Sequence, residues 1–157
     1  MIKWVFTIAL ICFMFGFAYA GEHRPLKPQQ KDKCPVCGMF VAKYPDFAAE
    51  IIFRDGTYAV FDGVKDMLKY YFALAKYHPE KKRSDIDSLY VTDYYDLSLI
   101  DGLKAFYVPG SDVYGPMGRE MIPFGSRSDA EEFRKDHQGK AVLEFDGITH
   151  DAVKGLD

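Results

Sequence analysis

The sequence predicts an α+β fold: two related ββαβ-like halves packed as one compact domain, preceded by a signal peptide and a polar tether. Three observations predict it. Pairs of β-rich runs are each followed by one helical pattern and then a further strand, which favours layers of sheet and helix sharing one core. A faint internal repeat matches Phe61, Asp66 and Tyr70 to Phe124, Asp129 and Phe133, each set at a strand-to-helix junction. The N-terminus is apolar and carries one charge, Lys3, as a targeting segment does.

Residues 1–20 form that segment. Residues 4–17 are almost unbroken apolar, and Ala18-Tyr19-Ala20 has the small-x-small pattern of a cleavage site. The run is short against the roughly 20 residues of a membrane span, so cleavage after Ala20 and periplasmic release are expected rather than an uncleaved anchor. Cys12 follows the bulky Ile11, where a lipid-attachment motif wants a small residue, and is an ordinary leader residue. Residues 21–33, rich in Pro, Gln and Lys without hydrophobic period, read as a flexible tether. Residues 34–157 form the domain, with halves of about 34–108 and 109–157.

The formal net charge of −3 and the lack of a basic stripe give no reason to invoke nucleic acid. Cleavage would leave two cysteines, Cys34 and Cys37, too few for a disulfide framework and better read as a site.

Within the domain, Met39-Phe40-Val41-Ala42 leads out of the cysteine motif as a short extended piece. Runs at 47–53 and 57–61 flank Asp55-Gly56, a hairpin signal. Asp62 is placed to cap a helix in which Val64, Met67, Leu68, Tyr71, Leu74 and Ala75 recur at helical spacing, with Pro79 ending it. A charged loop at 78–87 follows, then strands at 89–95 and 104–108. Residues 109–119 read as a Gly/Pro loop holding Met117, and 120–124 as extended. Ser128 to Glu131 read as a capping box for a short helix closed by Gly139, 141–145 as the last strand, and the remainder as a weak tail.

The chemistry gathers at Cys34-Pro35-Val36-Cys37-Gly38-Met39. A structural zinc site usually needs four ligands, and the sequence shows no second cysteine pair. A thioredoxin-type pair wants a helix N-terminus beneath it, which this stretch does not suggest. A structural disulfide would close a very short loop and stabilise little. Monovalent copper explains more residues, because thiolate and thioether are soft ligands and Cu(I) selects them. In an extended segment Cys37 and Met39 would share a face. Met117 lies in Gly115-Pro116-Met117-Gly118, where a methionine exposes its sulfur, whereas Met67 and Met121 fit core positions. His137, near the end of the second helix, is a candidate imidazole ligand with an ordinary reading beside it, a cation at a helix C-terminus. His23, His78 and His150 read as solvated. No constellation for hydrolytic or transfer chemistry is present, so the chain reads as a binding protein without substrate rather than an enzyme.

With these residues in view the chain resembles the NosL family of nitrous oxide reductase accessory proteins. The likeness rests on Cys34 to Met39, on Asp55-Gly56 leading to Phe61-Asp62, on Gly115 to Gly118, and on Pro123-Phe124, Asp129-Ala130, Phe133, His137, Val142-Leu143 and Phe145-Asp146. The resemblance implies two ββαβ-like halves and a periplasmic Cu(I)-binding protein that helps build the copper clusters of nitrous oxide reductase. Its partners would be that copper-receiving enzyme or a similar one, and a copper donor or membrane exporter. Matched to the family, Cys37 and Met117 are the expected sulfur ligands, with Met39, Cys34 and His137 as further candidates. Many members are lipoproteins, from which this chain departs through its Ala-x-Ala site. The rival reading is a periplasmic thiol–disulfide oxidoreductase using Cys34 and Cys37. A third is an interaction module with a structural disulfide.

Overall fold

A computed structural model describes residues 24–157; the leader at 1–20 and the start of the tether lie outside the described residues. The first unit begins with two single 3-10 turns, Val41–Lys43 and Pro45–Phe47, which lead into β1 (Ala49–Phe53) and β2 (Tyr58–Phe61). The hairpin signal holds: Asp55 accepts bonds from the Thr57 N–H at 3.1 Å and its hydroxyl at 2.6 Å, which closes the turn. Helices α1 (Val64–Phe72) and α2 (Leu74–Tyr77) follow, then β3 (Ile86–Thr92) and the short edge strand β4 (Leu99–Asp101). The sheet order is β2-β1-β3-β4, all antiparallel.

The second unit repeats the pattern with β5 (Phe106–Gly115), β6 (Gly118–Phe124), α3 (Arg127–Asp136) and β7 (Leu143–Glu144), in the order β6-β5-β7. The predicted two-unit α+β architecture is therefore what forms: in each sheet the hairpin's second strand lies at the edge, and its first strand lies between that edge and the third strand. The matched residues sit alike: Phe61 and Phe124 end their strands, and Tyr70 and Phe133 are buried on their helices.

Alternation along the second hairpin explains how the units join. Tyr107 and Met121 face the larger core, with Ile51, Phe53, Phe61, Met67, Leu68 and their neighbours. Val108, Ile122 and Phe124 face the other way, onto Ala130 and Phe133 of α3. Helix α1 packs on β1 and β2 and also on β6, so it lies between the two sheets.

Several local expectations are corrected. Residues 109–119 are not a loop: β5 and β6 pair through to Gly115 and Gly118, leaving Pro116 and Met117 at the tip. The register shift between Pro109 and Tyr114 absorbs Pro109, where β7 no longer pairs with β5 and no ladder donor is required. Asp62 does not cap α1, whose N-cap is Gly63. The cap of α3 is Ser126, two residues earlier than expected, accepting the Asp129 N–H at 3.2 Å. The last strand shrinks to Leu143–Glu144. The tail is helical instead, α4 (His150–Lys154), anchored by buried Val153 and Leu156. His78 is not free in solvent, since its Nδ1 meets the Tyr70 hydroxyl at 2.8 Å.

Candidate metal centre

The cysteine motif folds as a tight knuckle rather than an extended piece. Cys34 donates its N–H to the Met39 carbonyl at 2.9 Å, and Gly38 donates to the Cys34 carbonyl at 2.9 Å. This reversal needs Gly38 at φ +81°, a left-handed conformation that a side chain would disfavour. Lys33 and Phe40 pair across its base as an isolated antiparallel bridge. Cys37 and Met39 therefore do not share the face of a strand, because the chain turns between them. The carbonyl of Met39 closes the knuckle and its side chain is half-buried.

Folding the knuckle back on the sheet brings both thiols to the start of α1. Cys37 Sγ lies 3.0 Å from Asp62 Oδ1, and Cys34 Sγ lies 3.5 Å from Asp66 Oδ2. Both cysteines are free thiols, Cys34 buried and Cys37 partly so. Ligand atoms of Cys34, Cys37, Asp62 and Asp66 all lie within 4.8 Å of one another. Asp62 and Asp66 are themselves buried, and Asp62 Oδ2 is fully enclosed without a hydrogen-bond partner. An oxygen so placed costs on the order of 1–3 kcal/mol, which a bound cation would offset.

Burial pushes the Cys34 thiol up to about 11, against the opposing pull of the Cys37 and Val36 N–H groups. Cys37 is also raised, first by burial and then by its hydrogen bond to Asp62. Both are thus protonated at neutral pH until a metal displaces the proton. That state suits a metal trap and opposes a nucleophilic dithiol, which needs a stabilised thiolate.

The second unit meets this helix start through its hairpin tip. The Met117 carbonyl accepts from Lys65 Nζ at 2.7 Å, and Lys65 lies between Asp62 and Asp66 in the chain. The hairpin tip is thereby fastened to the helix start that carries both acids, with the Met117 side chain 44% exposed. Glu120, buried on β6, accepts the Lys65 N–H at 2.5 Å and the Met121 N–H at 2.8 Å. It satisfies one of the N–H groups that a helix start leaves unpaired. Burial pushes its carboxyl up to about 7 despite those two donors. Gly63 lies so close that a Cβ there would overlap the Glu120 carboxylate.

His137 stands elsewhere. It is the C-cap of α3, its Nδ1 lies 3.0 Å from Asp112 Oδ1, and its ring stacks on Phe133 with centroids 4.4 Å apart. The structure does not bring it to the cysteines. Met67 and Met121 are buried core residues, as their positions predict.

Sequence reasoning missed Asp62, Asp66 and Glu120 as parts of the centre. Asp62 and Asp66 are four residues apart, which on a helix start gives neighbouring positions, and that spacing was the available signal. Glu120 offered none, since its role depends on strand β6 lying across α1.

Comparison with known proteins agrees with this architecture. The NosL family model matches residues 25–153. The copper-binding lipoprotein NosL of Stutzerimonas stutzeri is 28% identical, over 90% of this chain and 78% of that one. The crystal structure of the copper chaperone NosL from Shewanella denitrificans superposes with a TM-score of 0.69 at 24% identity, covering 82% of this chain and 97% of that one. The solution structure of apo-NosL from Achromobacter cycloclastes is 32% identical over 67% of this chain and 87% of that one, with a TM-score of 0.49. The first two carry names of copper-binding proteins, not of enzymes.

Proposed function

The chain belongs to the NosL family, and we propose that it is a non-enzymatic Cu(I)-binding metallochaperone acting in the periplasm. Its cargo would go to a copper enzyme under assembly, nitrous oxide reductase or a related one, after arriving from a copper donor or membrane exporter. One observation carries the reading: two free thiols, one buried and one partly so, lie at the start of α1, the same helix start whose Lys65 holds the carbonyl of the exposed Met117 on the hairpin tip. Cys37 would supply the main thiolate and Met117 a thioether, with Cys34 and Met39 completing the set. Thiolate and thioether match the softness of Cu(I). An exposed thioether on a hairpin tip suits release, because a partner's ligand can replace it without opening the core. His137 has no part in this site.

Residues 1–20 would be the export signal, 21–33 the tether and 34–157 the binding domain. Cleavage after Ala20 predicts a mature chain beginning at Gly21, read directly by mass spectrometry of the exported protein. A lipid-modified N-terminus would replace that part of the proposal with membrane anchoring.

The decisive experiment is Cu(I) titration of the reduced protein against a chromophoric Cu(I) chelator. The parent should bind close to one equivalent. Cys37→Ser should weaken binding more than about 100-fold, or some 2.8 kcal/mol at 1.4 per decade. Met117→Leu should weaken it about tenfold. Parent-like affinity in Cys37→Ser would overturn the copper reading. Dithiol turnover that survives Met117→Leu would favour the oxidoreductase.

A further inference from the structure

Residues 93–98 join β3 to β4 and present apolar side chains to solvent from a rigid frame. Asp93 is buried and accepts the N–H groups of Tyr95 at 2.8 Å, Asp96 at 2.9 Å and Gly125 of the second unit at 2.6 Å. Its own N–H meets the Ser98 carbonyl at 2.8 Å, and the Leu97 N–H meets the Asp93 carbonyl at 3.0 Å. So fixed, the loop holds Leu97 at φ +53°, a left-handed conformation that glycine adopts freely and leucine does not. Leu97 is nevertheless 57% exposed, and Tyr95 46%. A strained side chain that buries so little of itself adds little to the fold, and strain of this kind gathers at functional positions. We propose that this loop is a docking surface for a partner protein, taking a segment whose apolar side chains stand beside Lys or Arg.

Shape supports an apolar anchor. Leu97 borders two clefts. One, of about 380 Å³, is lined also by Asp46, Phe47, Tyr94 and Tyr95. The other, of about 400 Å³, lies among Pro45, Ala48, Leu99 and the tether's Pro25 and Pro28. Tyr95 is further held against Phe124, with ring centroids 5.4 Å apart. A partner therefore meets side chains already in place, which lowers the ordering cost of association.

Charge chooses the partner. Asp46 lines the first cleft, and Asp96 stands exposed in the loop. The Tyr95 phenol is pushed up by burial and then by neighbours that include the carboxylates of Glu132, Asp136 and Asp129. An apolar centre with an acidic rim attracts a cationic segment and repels an anionic membrane. Position adds a reason for docking here. Phe61 and Val91 both pair with Ala49, so the chain leaves β2 toward Asp62 and β3 toward this loop at the same end of the sheet. That the partner is the copper-receiving enzyme rests on the function proposed above; the surface itself does not.

The test titrates the 15N-labelled protein with two peptides of identical apolar sequence, one flanked by lysines and one by glutamates. The lysine peptide should shift the amide resonances of Phe47, Tyr95 and Leu97 to saturation, and the glutamate peptide should bind at least about tenfold more weakly. Leu97→Gly should weaken the lysine peptide by at least about tenfold. It should also raise the urea midpoint, because the strain is relieved, and leave Cu(I) affinity at the parental value. Glu132→Lys with Asp136→Lys should reverse the preference between the peptides. Equal binding of both peptides, shifts centred elsewhere, or parental peptide binding by Leu97→Gly would overturn the proposal. So would a lowered urea midpoint, which would make Leu97 structural. Parent dimers that Leu97→Gly dissolves would give the face to a second copy, and Leu97-dependent binding to phosphatidylglycerol vesicles would give it to a membrane; either result also overturns it. Lysine-peptide binding without Cu(I) binding would sink the copper reading alone, and the converse would sink this one alone.

Discussion

The two units solve the same problem at their helix starts in opposite ways. Helix α3 is self-sufficient: Ser126 caps it, and Asp129 in its first turn serves the N-terminal dipole as an acidic residue should. Helix α1 has glycine at the matching place, no cap of its own, and borrows Glu120 from the other unit. Asp66 matches Asp129, yet it is buried and faces Cys34 instead of solvent. Asp62 matches Gly125, so the acid that meets Cys37 exists in one unit only. The hairpins differ too. The first closes early at Asp55, whereas the second runs on to Pro116 and Met117 and reaches Lys65. One unit keeps the ordinary helix start, and in the other that start is turned over to a site lying where the units meet.

The largest way to break this comparison is at Gly63. Its backbone is extended, which any residue adopts, so the constraint is steric and not conformational. Gly63→Ala would push the Glu120 carboxylate off the Lys65 N–H, adding overpacking of roughly 1–3 kcal/mol to a buried unsatisfied donor of similar cost. A destabilisation of about 3 kcal/mol is expected in urea unfolding. Ser126→Ala, the matching change in the self-capped unit, should cost about 1 kcal/mol. Equal losses would mean that α1 does not depend on Glu120.

How much of this was legible in the sequence follows from the range of the interactions. The ββαβ pattern, the Asp55-Gly56 turn and the paired positions Phe61/Phe124 and Tyr70/Phe133 are local or periodic, and the chain displays them. The knuckle was misread because an extended Met39-Phe40 and a closed loop have similar composition; the hydrogen bonds between Cys34, Gly38 and Met39 decide it. The loop expected at 109–119 became a hairpin because Pro109 and Gly110 fall where a register shift tolerates them. Half of the candidate centre was visible, since cysteines and a glycine-flanked methionine advertise soft chemistry. The acids were hidden because Asp at a helix start has a commoner use, as a cap, which here Gly63 and Glu120 take over. His137 misled for the reverse reason: its residue type suits a metal, while its position at the end of α3 gives it to Asp112 and Phe133.

A smaller effect tests the same borrowing through pH. Glu120 has a folded-state pKa raised from 4.5 to about 7, so the folded chain binds more protons than the unfolded chain between those values. Stability must therefore fall as pH rises across that window, and the penalty is fully present above it. Glu50, buried on β1 and likewise raised to about 7 by burial, adds a decline of the same sign. Glu120→Gln keeps a carbonyl to accept the Lys65 N–H but removes the titration. Its stability should drop less than the parent's between pH 5 and pH 8, by on the order of 1–2 kcal/mol, since each pKa unit is worth about 1.36 kcal/mol. Ser126→Ala, by contrast, should lower the whole curve without changing its slope, because no titrating group is lost. If Glu120→Gln follows the parent at every pH, the carboxylate is not charged against its burial, and the helix start of the first unit is no more strained than that of the second.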